Sequence, residues 1–339
     1  MLPIIWFILW GVLWAVYFML DGFDLGLGTL MPFLSKNDTD RRIIYRTMGH
    51  HWDGNEVWLI TAGGVTFAAF PATYAALFSG LYSALMFILF ALIIRGVSMA
   101  FREEVDSPGW RKLWDTGLVL GSFLPALLFG VAFANIFKGL PYDAEGVYHG
   151  TLFTLLNPYG IAGGLLFVLL FTVHGSLWLA AKTEGDLHDR AGTTAASLWP
   201  LLLIMAVIFL LASLRVTHLF DNYFASPVLF LLPLLAVAAL IAIRVFIKKG
   251  AWWKAWFASS ATIVFVTLFG VVGLFPNLLP SSLDPAHSLT IYNSASSPLT
   301  LKIMLGVALT FVPIVIAYQT WVYFLFKDKV KPEDLEEGY

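Results

Sequence analysis

An ionisable side chain inside an apolar run costs roughly 3 kcal/mol to insert into a membrane, so each one found there is a candidate for chemistry. Asp21 and Asp24 stand in such a run, Asp21-Gly22-Phe23-Asp24-Leu25-Gly26-Leu27-Gly28. On a helix the two carboxylates share a face, and beside a packed neighbour they could pass protons. A pair solvated at a helix end is the plainer alternative. Gly22 and Gly26 form a small-xxx-small pair that admits a close helix. A second set follows at His50-His51-Trp52-Asp53-Gly54-Asn55-Glu56. Asp53 and Glu56 are spaced i, i+3, and His51 and Asn55 i, i+4. That spacing suits a proton relay, with histidine titrating near neutrality. It equally suits an acidic first turn at a positive helix end. His-x-Asp-x-x-Glu is not a specific metal pattern, and no metal is expected.

Arg95 interrupts the apolar stretch FILFALIIRGVSMAF. An arginine there needs an acidic partner, and the two acid pairs are the candidates. Snorkelling to the interface, two turns away, is the alternative. His174 lies well inside another apolar run. It reads as a haem ligand or, since no second axial ligand is evident, as a hydrogen-bonded structural histidine. Lys182 and Glu184 read as an interfacial pair, and Asn135 and Asn157 as helix caps.

The elements that carry these residues are transmembrane helices. Of 339 residues 59% are hydrophobic and 12% charged, about half the charged share of a soluble domain. Apolar runs at 3–34, 52–75, 77–100, 114–137, 159–182, 196–217, 227–247, 254–276 and 300–326 each approach the ~20 residues that span a bilayer. They predict an all-α integral membrane protein with about nine transmembrane helices. The break at Pro71 separates the second span from the third, and 277–297 reads as a Pro- and Ser-rich extramembrane loop. No polar stretch is long enough for a soluble domain. Met1–Trp10 lacks a basic leader, which favours a retained first helix. Trp6, Trp110, Trp199, Trp252, Trp253 and Tyr323 read as interfacial anchors. The chain has no cysteine, which excludes disulfides, thiolate-held iron–sulfur clusters and a cysteine nucleophile. A net charge of −2 offers nothing to nucleic acid.

Orientation follows from the 20 Lys and Arg residues. All but Lys138, Arg215, Lys302 and the intramembrane Arg95 fall in loops on one side, which is therefore cytoplasmic. The N-terminus is then outside and the C-terminus inside. Asp21, Asp24, Asp53, Glu56 and Arg95 all fall in the cytoplasmic half.

The segments GFDLGLGTLMPFL, HWDGNEVWLITAGGVTFAAFP, IRGVSMAFR and FPNLLPSSLDPAHSLTIYNSASSPLTL resemble the signature stretches of subunit II of the cytochrome bd quinol oxidases. The likeness runs from about residue 10 to 325, in the family's order and spacing. It implies two four-helix bundles, here about 1–138 and 159–276, plus one peripheral helix, 300–326. It implies a bacterial cell-membrane complex that oxidises quinol and reduces oxygen to water, taking protons from the cytoplasm without pumping. The b and d haems would sit in the larger subunit I, leaving this chain with no haem ligand and no catalytic residue of its own. A small accessory subunit, a structural quinone and a lipid are further candidate partners. Asp21 and Asp24 match the acids of the family's first-helix motif. Asp53 matches the acid of Trp-Asp-Gly-Asn, and Arg95 the third-helix arginine. With Glu56 and His51 they are the expected proton path, and an apolar oxygen route is also expected. A secondary transporter and a purely structural scaffold are the rival readings.

Overall fold

The computed structural model describes residues 1–335 of the chain. Hydrocarbon offers no water to backbone polar groups, so a chain this apolar closes its hydrogen bonds within helices. They are α1 (Leu2–Leu34), α2 (Asp38–Gly49), α3 (Trp52–Ala69), α4 (Pro71–Gly80), α5 (Tyr82–Phe101), α6 (Pro108–Lys138), α7 (Pro158–Lys182), α8 (Gly185–Val216), α9 (Asp221–Ala225), α10 (Leu231–Lys248), α11 (Trp252–Leu274) and α12 (Pro298–Leu325). Among the described residues eight are long and apolar enough to cross a membrane. The bent pair α3–α4 raises the number to nine.

Two elements differ from the sequence expectation. The second span was expected over 52–75, but α3 ends at Ala69 and α4 leaves at 120°. Pro71 disfavours a helical Phe70, whose φ of −134° and ψ of 63° break the ladder. Two α3 carbonyls left open by the break, Ala68 and Ala69, accept from the hydroxyl and amide of Ser296. That serine belongs to the 277–297 loop, which holds a short antiparallel pair, β1 (Asn277–Leu279) with β2 (Leu289–Thr290). The second difference is α2, which lies where a plain loop was expected. Asn37 caps it by accepting from Asp40 N at 2.8 Å, Asp38 and Asp40 fill its first turn, and Arg46 its last. It buries Ile43, Ile44, Tyr45 and Met48 against the bundle. A search for long apolar runs passes over it, because only one face of this short helix is apolar.

The central helix is α1, which packs against α3, α6, α7 and α11. Its small-xxx-small pair meets α7, where a Cβ placed on Gly26 would stand 1.7 Å from the Phe171 carbonyl oxygen. Gly175 faces back, its Cβ position 2.5 Å from Leu27 N. Backbone meets backbone here, so no side-chain rearrangement can make room. α12 is peripheral and buries only Leu301. Gly26→Val should therefore separate α1 from α7 and cost at least the ~1–3 kcal/mol of an overpacked core. Gly306→Ala, with nothing within 4 Å, should be neutral. Monodisperse yield and thermal unfolding of the detergent-solubilised complex would check both.

Candidate functional site

Asp21, Glu56 and Arg95 arrive from three helices at one buried point. Arg95, 1% exposed on α5, places Nη2 2.7 Å from Asp21 Oδ1 on α1 and 2.5 Å from Glu56 Oε1 on α3. α5 reaches this position by lying on α6 at Gly121, where a Cβ would be 2.6 Å from Ala91 O and 2.8 Å from Arg95 Cβ. Asp21 is fully buried, while the Glu56 side chain keeps 24% of its surface. Tyr17, one turn before Asp21, is also fully buried. Among the described residues Arg95 Nε and Nη1 and Ser122 Oγ meet no hydrogen-bond partner, and the Tyr17 hydroxyl lies against Asp21.

The two acid pairs are thus each split. Asp21 and Glu56 take Arg95, whereas Asp24 turns to α3, its Oδ2 accepting from Asn55 Nδ2 at 2.7 Å. Asp53 does not reach Arg95. It stands exposed in the first turn of α3, with Oδ1 accepting from Gly54 N at 2.7 Å. The i, i+4 pair does share the inner face: His51 and Asn55 are both buried, and His51 stacks on Tyr323 with ring centroids 4.3 Å apart.

Several roles went unread in the sequence. Tyr323 was expected to be an anchor, but its hydroxyl donates to Asn55 Oδ1 at 2.8 Å. Trp6 is buried, its indole donating to the Leu301 carbonyl at 3.1 Å. Lys182 does not pair with Glu184. It is 2% exposed, and its ammonium donates to the carbonyls of Phe326 and Asp328, while Glu184 meets Lys329 at 3.3 Å. His174 is fully buried, its Nε2 donating to Met19 O at 3.0 Å and its ring stacked on Trp256 at 5.2 Å. Asn157 caps α7 through Gly160 N and also donates to Asn135 Oδ1 at 2.7 Å.

Basic loop residues read only for topology also build structure. Buried Arg102 joins Asp115 at 2.7 Å and Asp38 at 2.6 Å, which fastens α2 to the α5–α6 turn. Arg190 meets Asp40 at 2.6 Å. Burial works against ionisation of Asp38, but its hydrogen bond from Arg102 and the nearby charges of Arg102, Arg111 and Arg42 hold its carboxyl below the usual range. Among the described residues no three of His, Asp and Glu gather as a metal-holding group.

The profile of the family described as cytochrome bd terminal oxidase subunit II matches residues 2–326. The chain belongs to that family. The cytochrome bd-I ubiquinol oxidase subunit 2 of Escherichia coli strain K12 is 36% identical, over 99% of this chain and 97% of the relative. The cytochrome bd ubiquinol oxidase subunit 2 of Bacillus subtilis is also 36% identical, over 97% of each. The fold is that of a bd oxidase chain from Geobacillus thermodenitrificans, with a TM-score of 0.77 at 16% identity, covering 96% of this chain and 98% of that one. This subunit II is accordingly a multi-pass bacterial membrane protein and one component of an oxidoreductase complex, not a catalyst alone.

The ion cluster predicts a distinctive mutant pattern. Arg95→Leu leaves buried Asp21 without a counter-charge, a loss of about 3–5 kcal/mol for a broken buried pair. The variant should lose most of its assembled protein. Adding Asp21→Asn and Glu56→Gln should recover much of it, read as yield and melting temperature of the purified complex.

Proposed function

We propose that this subunit supports a haem-bearing partner, subunit I, in a quinol:oxygen oxidoreductase and conducts protons toward it from the cytoplasmic side. The observation that carries this reading is the Asp21–Arg95–Glu56 cluster, an ionisable site within the membrane reached from the end of the bundle where the basic loops gather. Reduction of oxygen to water consumes protons, and the named relatives are ubiquinol oxidase subunits. Exposed Asp53 takes protons from water at the first turn of α3. Glu56, one turn further in and partly exposed, passes them to Asp21, and Arg95 keeps the acids' charge balanced during transfer. The unpaired nitrogens of Arg95 and the Ser122 hydroxyl suit bridging water. Asp24, Asn55 and His51 form a second polar arm.

Haems b and d, quinol oxidation and the chemistry of oxygen belong to subunit I in this reading. An apolar cavity of about 90 Å³, lined by Phe18, Phe133, Phe167, Leu170 and Phe209 among others, suits an oxygen route. The groove of about 1080 Å³ between α12 and the α1, α3 and α11 face is wide enough for a structural quinone or lipid tail. A small accessory subunit would complete the assembly. The positive-inside rule orients the chain with its N-terminus outside.

Asp53→Asn should assemble with normal haem bands yet slow oxygen uptake by roughly 100-fold, the low end of the usual cost of losing a proton-transfer group. Uptake unchanged in a fully haem-loaded complex would remove Asp53 from the path and favour a scaffold. A gently solubilised complex without haem or partner would instead favour transport.

A further inference from the structure

The hydrogen-bond chain from α12 to Asp24 has a direction, and it can be read from its far end. Trp58 Nε1–H can only donate, and it meets Gln319 Oε1 at 2.7 Å. The Gln319 amide nitrogen therefore faces away, 3.1 Å from the Gly54 carbonyl, an acceptor only, and 3.3 Å from Asn55 Oδ1. Asn55 thus presents its oxygen to Gln319 and to the Tyr323 hydroxyl at 2.8 Å. Its NH2 is left pointing at Asp24 Oδ2, 2.7 Å away. A donor-only indole and an acceptor-only carbonyl determine both amide orientations.

α12 buries only Leu301, yet it supplies two members of this chain. At its end Asp24 has one oxygen committed as an acceptor, while Oδ1 is buried and meets no hydrogen-bond partner among the described residues. We propose that Gln319 and Tyr323 are positioning residues that act through Asn55 to hold Asp24 with Oδ1 as the atom that gains and loses a proton. The peripheral helix thereby becomes part of the proton path, and this inference rests on the proton-path reading above. The ionisable groups that face Asp24 are Asp21 on α1, Glu56 on α3, Arg95 on α5 and Tyr323 on α12, with Tyr17 against Asp21 and His51 stacked on Tyr323. α7 brings His174, bonded to Met19. α6 between Asp115 and Lys138, and α11 beyond Lys254, carry no ionisable residue.

The test uses the intact oxidase complex with Gln319→Leu and the milder Tyr323→Phe, against Asp24→Asn as reference. Infrared difference spectra across pH should show a protonated-carboxyl band that Asp24→Asn abolishes. Either substitution should move that band with haem content unchanged. The midpoint of the pH profile of oxygen uptake should shift by about one pH unit, the scale of one hydrogen bond to a charged group. Trp58→Phe, which releases the Gln319 amide, should reproduce the shift. A band that stays in place in Gln319→Leu and Tyr323→Phe overturns the positioning role. So does the lack of any band lost in Asp24→Asn, because Oδ1 then never carries a proton. If the band moves while Asp24→Asn turns over normally, the positioning stands and the proton-path reading falls.

Discussion

An arginine buried among lipid-facing helices has few stable arrangements, and Arg95 occupies one that binds three helices together. Its guanidinium faces Asp21 and Glu56 at 2.7 and 2.5 Å, so α1, α3 and α5 share a single electrostatic requirement. In a low-dielectric interior the attraction is strong, but so is the penalty for any unpaired member. The cluster therefore constrains register more than it adds net stability. Slide α5 by one turn and the cation leaves both acids. The backbone contacts at Gly121 and Gly26 serve the same constraint: they set α5 against α6 and α1 against α7 before any side chain is placed.

Polar groups elsewhere concentrate at the two ends, where water and backbone termini need them. At the basic end Arg102 and Arg190 tie α2 across the mouths of α1, α5 and α8. At the other end Asn135 and Asn157 close the α6–α7 connection, and Ser296 satisfies the broken end of α3. Between these layers the packing is aromatic and aliphatic. The ion cluster and the Asp24 arm depart from that pattern, each at the cost of burying ionisable groups.

α12 shows how a helix with almost no buried surface can still be specified. Lys182 holds the carbonyls of Phe326 and Asp328 at its C-terminal end, and Trp6 takes the Leu301 carbonyl near its start. Gln319 and Tyr323 join it to Asn55 in between. These directional bonds fix a helix that has little apolar packing within this chain.

Much of this was legible in the residues alone. Span count, the Pro71 break and the need of Asp21, Asp24, Glu56 and Arg95 for polar partners follow from hydropathy and from the cost of burying charge, both local properties of the chain. The signature stretches around Asp21, Asp53 and Arg95 carried the family as well. What the residues could not say is who meets whom. Spacing made Asp53 and Glu56 look equivalent, yet α3 turns Glu56 inward to Arg95 and leaves Asp53 exposed on the surface of the chain. Gln319, Tyr323 and Lys182 gave no sign of their partners, which lie 264, 268 and 144 residues away in sequence. Hydrogen bonds and ion pairs form only within about 3–4 Å. Helix packing alone decides which distant side chains come that close.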